Sequence, residues 1–153
     1  MALTNVLRLD PYLGFRFVVE IEGLIVAGFT EVTGLSTEVT PFAYKEGGVN
    51  EYEHQLPGPV TWPRLVLKRA LTDVDNLWRW HEDVRRGRVV RRNGSVIIAA
   101  ELAGTASTGS YRWDFTGAYP VKWVGPELRA ASATVAVESV ELVHRGLVKG
   151  LAG

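Results

Sequence analysis

The chain has no cysteine and one methionine, so no disulfide, thiolate metal cluster or cysteine nucleophile is available and stability rests on packing. That absence fits a reducing compartment. No apolar run approaches the roughly 18 residues that a membrane-spanning helix needs, which predicts a soluble chain. The opening residues 1–10 hold no basic stretch followed by an apolar one, so no secretory signal is expected. Net charge is also missing, with 17 basic residues against 17 acidic ones, and this argues against general affinity for nucleic acid or an anionic membrane. The three histidines, His54, His81 and His144, share no spacing of three or four that would hold a metal. Nor is there a glycine-rich loop between strand and helix to cradle phosphate, or a serine elbow for acyl chemistry. No catalytic, metal or cofactor site is therefore expected, and no enzyme.

What the 153 residues do contain is enough apolar sequence, 46%, for one folded domain spanning 1–153. Charge is segregated along it. Residues 1–53 carry Arg8, Arg16 and Lys45 against eight acids, whereas 54–92 carry nine basic residues against Asp73, Asp75, Glu82 and Asp83. Such blocks can fold against each other or present complementary faces to other copies of the chain. The arginines between Arg79 and Arg92, interleaved with Trp78 and Trp80, look superficially like a nucleic-acid face. The zero net charge and the acidic first third favour a subunit-pairing face instead. Trp80 lies off the apolar stripe of its segment and is expected to be exposed, and exposed tryptophan beside Arg85, Arg86, Arg88, Arg91 and Arg92 suits an interface centre.

Most of the chain reads as strands. Phe15, Phe17, Val19 and Ile21 share one parity, with Arg16, Glu20 and Glu22 on the other, as in a half-buried strand. Segments 30–33 and 35–44 continue in extended character, with Pro41 marking an edge or bulge because proline cannot donate to a ladder. Residues 45–59, polar and glycine-bearing, are expected to project as a loop or hairpin. A strand begins at Leu65 and ends at Lys68-Arg69. Over 73–86 the spacing of Val74, Leu77, Trp78, His81 and Val84 predicts the one helix, capped by Thr72 or Asp73. Beyond it, Val89-Val90 reads as strand, Asn93-Gly94 as a tight turn, and 95–102 as the returning strand. Residues 103–109 read as a turn, 110–116 as an alternating strand, and 118–132 as an ordered loop anchored by Trp123. In 135–144 the apolar phase slips, which a bulge near Ser139 or burial on both faces would explain. Residues 1–10 are expected to form an arm and 148–153 a tail. The fold class is mainly β (α+β), antiparallel, with one flanking helix and a projecting hairpin loop.

Several blocks in order carry a family resemblance: Phe15-Arg16-Phe17-Val18-Val19-Glu20-Ile21, the run from Ala27-Gly28-Phe29 to Glu38, Tyr44-Lys45-Glu46-Gly47-Gly48, Leu56-Pro57-Gly58, Leu67-Lys68-Arg69, Asn93-Gly94-Ser95, Ala118-Tyr119-Pro120-Val121-Lys122-Trp123, and Glu138-Ser139-Val140-Glu141-Leu142. From about Asp10 to Leu147 the chain resembles the inner tube (tail tube) proteins of contractile phage tails and phage-tail-like extracellular contractile injection systems. The resemblance implies a tail-tube-like β-barrel or sandwich, six copies to a ring, and rings stacked into a hollow tube propelled by sheath contraction, with protein cargo in the lumen. It implies as partners the chain itself, a contractile sheath protein, and baseplate, spike and tube-initiator subunits. DNA passage would apply only to a true phage tail, and the isolated subunit is not expected to bind membrane. Assembly would be in the cytoplasm, as part of a virion or of a particle released from the cell. The loop carrying Lys45, Glu46, Gly47, Gly48, Asn50, Glu51, Glu53 and His54 would reach the adjacent ring. Alternatives are a tube-initiator or baseplate-hub relative forming a single ring, and a solitary β-barrel binding module using Trp62, Trp80 or Trp123.

Overall fold

In the computed structural model, residues 17–24, 28–48, 51–99 and 110–150 are described. The 1–10 arm, the 103–109 turn, Asn50 and the tail beyond 150 lie outside them. The described residues form nine strands and one helix in the order β1 Phe17–Ile21, β2 Phe29–Thr33, β3 Glu38–Tyr44, β4 His54–Thr61, β5 Leu65–Ala70, α1 Asn76–Arg85, β6 Arg92–Ala99, β7 Ser110–Val124, β8 Val137–Val143 and β9 Gly146–Gly150. All pairings between strands are antiparallel. The main sheet has the order β1-β6-β7-β8-β5-β2, with β9 also on β7, and among the described residues β3 pairs only with β4, as a separate hairpin.

The long strand β7 organises the rest. Its first half pairs with β6 and β9, and its second half, from Tyr119, pairs with β8. Gly117 sits at the switch with φ of 59°, a value that favours glycine. Asn93 locks it there, because its Oδ1 accepts from the Gly117 N–H at 3.0 Å. The expected loop over 118–132 is thus corrected: its first seven residues, to Val124, continue the strand, and Pro120 is accommodated at a register shift. Residues 148–150 are likewise not a tail but part of β9.

The core is built from alternating positions of both halves of the sheet: Val19 and Ile21 of β1, Leu65 and Leu67 of β5, Val96 of β6, Phe115 of β7, Val140 and Leu142 of β8. Full burial of each such side chain contributes about 1.5–3 kcal/mol. Helix α1 closes one side with Leu77 and Trp80. It is shorter than 73–86, and its N-terminus has no side-chain cap; Thr72 instead accepts from the Val74 N–H, one turn earlier.

Two local readings change for physical reasons. Asn93-Gly94 is not a turn but lies inside β6, and Val89-Val90 is not a strand. Gly94 is needed for close approach, since a Cβ there would overlap the Phe115 ring and the Glu20 carbonyl. In β8 there is no bulge at Ser139: its register with β5 is unbroken from Val137 to Leu142. The apparent phase slip arises because the buried position two before Val140 is occupied by Glu138, which is 2% exposed.

Glu138 is buried with a partner. Arg69, also 2% exposed, donates from Nε to its Oε1, and Trp123 Nε1 donates to Oε2 at 3.1 Å. The same guanidinium donates from Nη2 to the Val74 carbonyl at 2.6 Å and to Asn76 Oδ1 at 3.3 Å. Strands β5, β7 and β8 are thereby tied to the start of α1.

Candidate assembly surfaces

The hairpin of β3 and β4 stands away from the core. All seven residues of β3 are exposed, although five of them are apolar or proline. Phe42 is 61% exposed, and Tyr44, Val39, Leu56 and Val60 are about half exposed. Register puts Phe42 opposite Leu56 and Tyr44 opposite His54 on one face; Pro41 opposes Pro57 on the other, and Val39 opposes Val60 near the base. The expected bulge at Pro41 is present as a register shift between Val39 and Pro41. Across from it, a Cβ on Gly58 would strike the Thr40 carbonyl, so glycine is required there. An apolar side chain exposed on each face of a two-stranded ribbon has no cover within the described chain, and such surface marks an interaction site.

The tip is charged and held by pairs. Lys45 Nζ lies 3.4 Å from Glu53, and His54 Nε2 lies 3.1 Å from Glu46 Oε2 with Tyr52 edge-on at 5.1 Å. Gly47 and Gly48 form the turn, the latter with φ of 102°, and Glu51 is exposed. Of the loop residues expected from sequence, Lys45, Glu46, Gly47, Gly48, Glu51, Glu53 and His54 lie at the end of the hairpin and Asn50 is outside the described residues, but the polar loop is shorter than 45–59 because β4 starts at His54. Its exposed shaft, with Phe42, Tyr44, Leu56 and Val60, was not singled out from sequence; apolar residues at both parities of a glycine- and proline-bounded ribbon were the available signal.

The arginine-rich segment divides in two. Arg85 and Arg86 both reach Glu82, at 2.5 and 3.2 Å, and Arg79 reaches Asp75 at 3.0 Å, all from exposed positions. Arg85, foremost through its hydrogen bond, holds the Glu82 carboxyl below the usual carboxylate range. The Arg88 side chain is exposed, and its N–H donates to the Asp83 carbonyl. Arg91 and Arg92, in contrast, serve their own chain. Arg91 donates to the Gly117 carbonyl at 3.1 Å and lies over Tyr119; Arg92 donates to the Glu22 carbonyl at 2.9 Å and lies over Trp80. The expected exposure of Trp80 is overturned: it is 2% exposed, with Nε1 donating to the Val90 carbonyl at 2.8 Å. The outward tryptophan of α1 is Trp78, packed edge-on against Trp123 at 4.7 Å.

A third surface is the outer face of β1, β6, β7 and β9, where Glu20, Ser95, Asp114 and Val148 form one cross-strand row. Ser95 Oγ and Arg112 Nε both donate to Asp114 Oδ1 at 2.6 Å. The serine hydrogen bond first, then that of the arginine, holds the Asp114 carboxyl below its ordinary value. A carboxyl lowered in the folded state stabilises above its unfolded value, about 3.9, and that contribution is lost as pH falls through the lowered folded value. Because Asp114 is 37% exposed, screening keeps the contribution under about 1 kcal/mol. Thermal melts should show Asp114→Asn destabilised at pH 7 and the gap to the wild type narrowing toward pH 2; a gap constant with pH would contradict this.

Among the described residues, no group of three His, Asp or Glu side chains is placed to hold a metal ion. The arrangement offers protein contact surfaces: an exposed apolar ribbon with an acidic tip, and a ridge of arginines.

Comparison with known proteins agrees with this character. A family model described as T4-like virus tail tube protein gp19 matches residues 13–148. Among solved structures, a chain of the anti-feeding prophage tube-terminating cap superposes with a TM-score of 0.84 at 22% identity, over 99% of this chain and 100% of that one. A chain of the sheath–tube complex of the extracellular contractile injection system PVC does so at 0.81 and 18% identity, over 98% of each. Hcp1 from Flavobacterium johnsoniae shares the fold more distantly, at 0.58 and 18%, over 91% of this chain and 97% of that one. A search of curated proteins finds no match. The chain belongs to the T4-like virus tail tube protein gp19 family, and is a structural subunit of tube type.

Proposed function

We propose that this chain is the repeating subunit of the inner tube of a phage-tail-like contractile machine, assembling as homohexameric rings that stack into a hollow tube. The observation that carries this reading is the β3–β4 ribbon, whose exposed apolar side chains on both faces need a neighbour to cover them. Open edges support it as well: among the described residues, β1 and β2 are the end strands of the sheet order, and β9 pairs only with β7. Continuing a sheet into identical neighbours satisfies such edges, and a heterologous contact that closes makes a ring. The acidic tip at Glu46, Glu51 and Glu53 then meets the exposed arginines Arg79, Arg85, Arg86 and Arg88 of another copy, charge setting register more than affinity. Arg91 and Arg92 are left out of that contact because they bind within their own chain.

A contractile sheath around the tube and a baseplate below it are the partners, by analogy with the PVC sheath–tube complex and the anti-feeding prophage baseplate. Assembly precedes release, in the cytoplasm, and the lumen is open to protein cargo. A terminal-ring role, as initiator or cap, is the second reading, favoured by the likeness to the anti-feeding prophage cap chain.

Negative-stain microscopy of the purified chain tests both. Hollow tubes support the repeating role, isolated rings the terminal one, and featureless monomers at high concentration contradict the proposal. Reversing Arg85, Arg86 and Arg88 to Glu should reduce particle yield at least tenfold with unchanged far-ultraviolet circular dichroism. Particles at wild-type yield would remove the charge contact.

A further inference from the structure

Among the described residues, the sheet forms an apolar cleft of about 250 Å³ between end strand β2 and the inner face of β1, β6 and β7. Phe17, Val32, Leu35, Val96, Ile98 and Trp113 line it, together with Thr30 and Glu31. Glu31, the one charged residue in that described lining, is tied to Lys68 at 3.5 Å. The cleft therefore suits an uncharged, apolar occupant. An apolar cavity of about 150 Å³ holds a benzene ring, so this one has room for an aromatic ring and a branched aliphatic side chain together.

The hairpin carries that pair. Phe42 and Leu56 are direct cross-strand partners on one face, both exposed, and segments 39–43 and 55–60 around them contain no charged residue. We propose that the Phe42–Leu56 pair is a knob seated in the β1–β2 cleft of a second copy of this chain. The inference rests on the tube reading above and names the receiving surface for the hairpin. A specific interface takes about 20–30 residues from each side, which the 38–61 ribbon matches in length. Neutral shaft meets neutral cleft, while the charged tip stays beyond it, free for the arginine contact. A ring buried in such a pocket is the usual form of an interface hot spot.

The cysteine-free chain makes the test direct. Phe42→Cys and Val32→Cys, purified separately and mixed under mild oxidation, should yield a covalent dimer, because seating the knob brings the two positions within the roughly 7 Å that a disulfide spans. Neither variant alone should dimerise to the same extent, and nor should Phe42→Cys mixed with Val124→Cys, which stands exposed on β7, three strands from β2 and on the other face of the sheet. Mixing single variants means that every mixed bond is between copies. No dimer above the Val124 control overturns the knob, whether or not tubes are seen. Phe42→Ala with Leu56→Ala should in addition lower tube yield at least tenfold while the monomer melts unchanged. Tubes at full yield from that variant overturn the knob and leave the tube reading standing. Absence of tubes from the wild-type chain counts against the tube reading, and the cross-link then decides the knob contact by itself.

Discussion

Glu138→Gln should lower the thermal midpoint by about 6–12 °C, from a loss of about 3 kcal/mol. The reason is that the substitution removes one charge from a pair in which both members are almost fully buried, and leaves the Arg69 guanidinium charged inside the sheet. Removing one partner of such a pair costs about 3–5 kcal/mol, far more than an exposed pair contributes. Arg69→Met should cost at least as much, since that side chain also satisfies the Val74 carbonyl and Asn76 Oδ1 at the start of α1. The double substitution Arg69→Met with Glu138→Leu should recover only part of the loss. It removes the uncompensated charge, yet Trp123 Nε1 and the Val74 carbonyl lose their partners. Calorimetry of the three variants reads this, and a Glu138→Gln protein melting within 2 °C of the wild type would contradict the buried-pair account.

Replacing residues 45–54 by a two-residue turn should abolish tubes while leaving the melting temperature within a few degrees. The large effect on assembly follows from the proposed role of the charged tip, which the proposal has contacting another copy. The small effect on folding follows from the hairpin's isolation, because among the described residues β3 pairs only with β4 and none of its seven side chains is buried. Electron microscopy and a thermal melt on the same preparation separate the two outcomes. Full-length tubes from the shortened chain would show that the tip is not a connector, and a collapsed melt would show that the ribbon belongs to the folding core.

Strand parity carried the fold where a strand has one wet and one dry face. In β1, Val19 and Ile21 are buried and Val18 and Glu20 exposed, as alternation implies. β5 alternates as regularly, with Leu65, Leu67 and Arg69 buried. Parity misled in β8 because an acidic side chain took a core position, and nothing local announces that Arg69 will stand directly opposite Glu138 on the neighbouring strand. The helix stripe failed similarly: Val74 is exposed and precedes α1, while Trp80 is buried because Val90 offers its indole an acceptor. Asn93-Gly94 has the chemistry of a tight turn, but a glycine also serves where a ring crosses the backbone, and the crossing Phe115 is distant in sequence. For the candidate assembly surfaces, the polar, glycine-bearing run 45–59 marked the end of the hairpin and the basic block marked the arginine ridge. They did not separate Arg91 and Arg92, whose acceptors are backbone carbonyls, from the outward arginines. Nor could composition distinguish the apolar shaft from core strands, since exposure is a property of the neighbours a strand lacks.

Amide hydrogen exchange, resolved along the chain and compared between dilute and concentrated protein, reads the central claim most directly. Covering of the ribbon by other copies predicts that amides of 38–61 gain strong protection as concentration rises, together with the free edges of β1, β2 and β9, while core strands such as β5 stay protected throughout. Exchange across 38–61 that is fast and independent of concentration would contradict it.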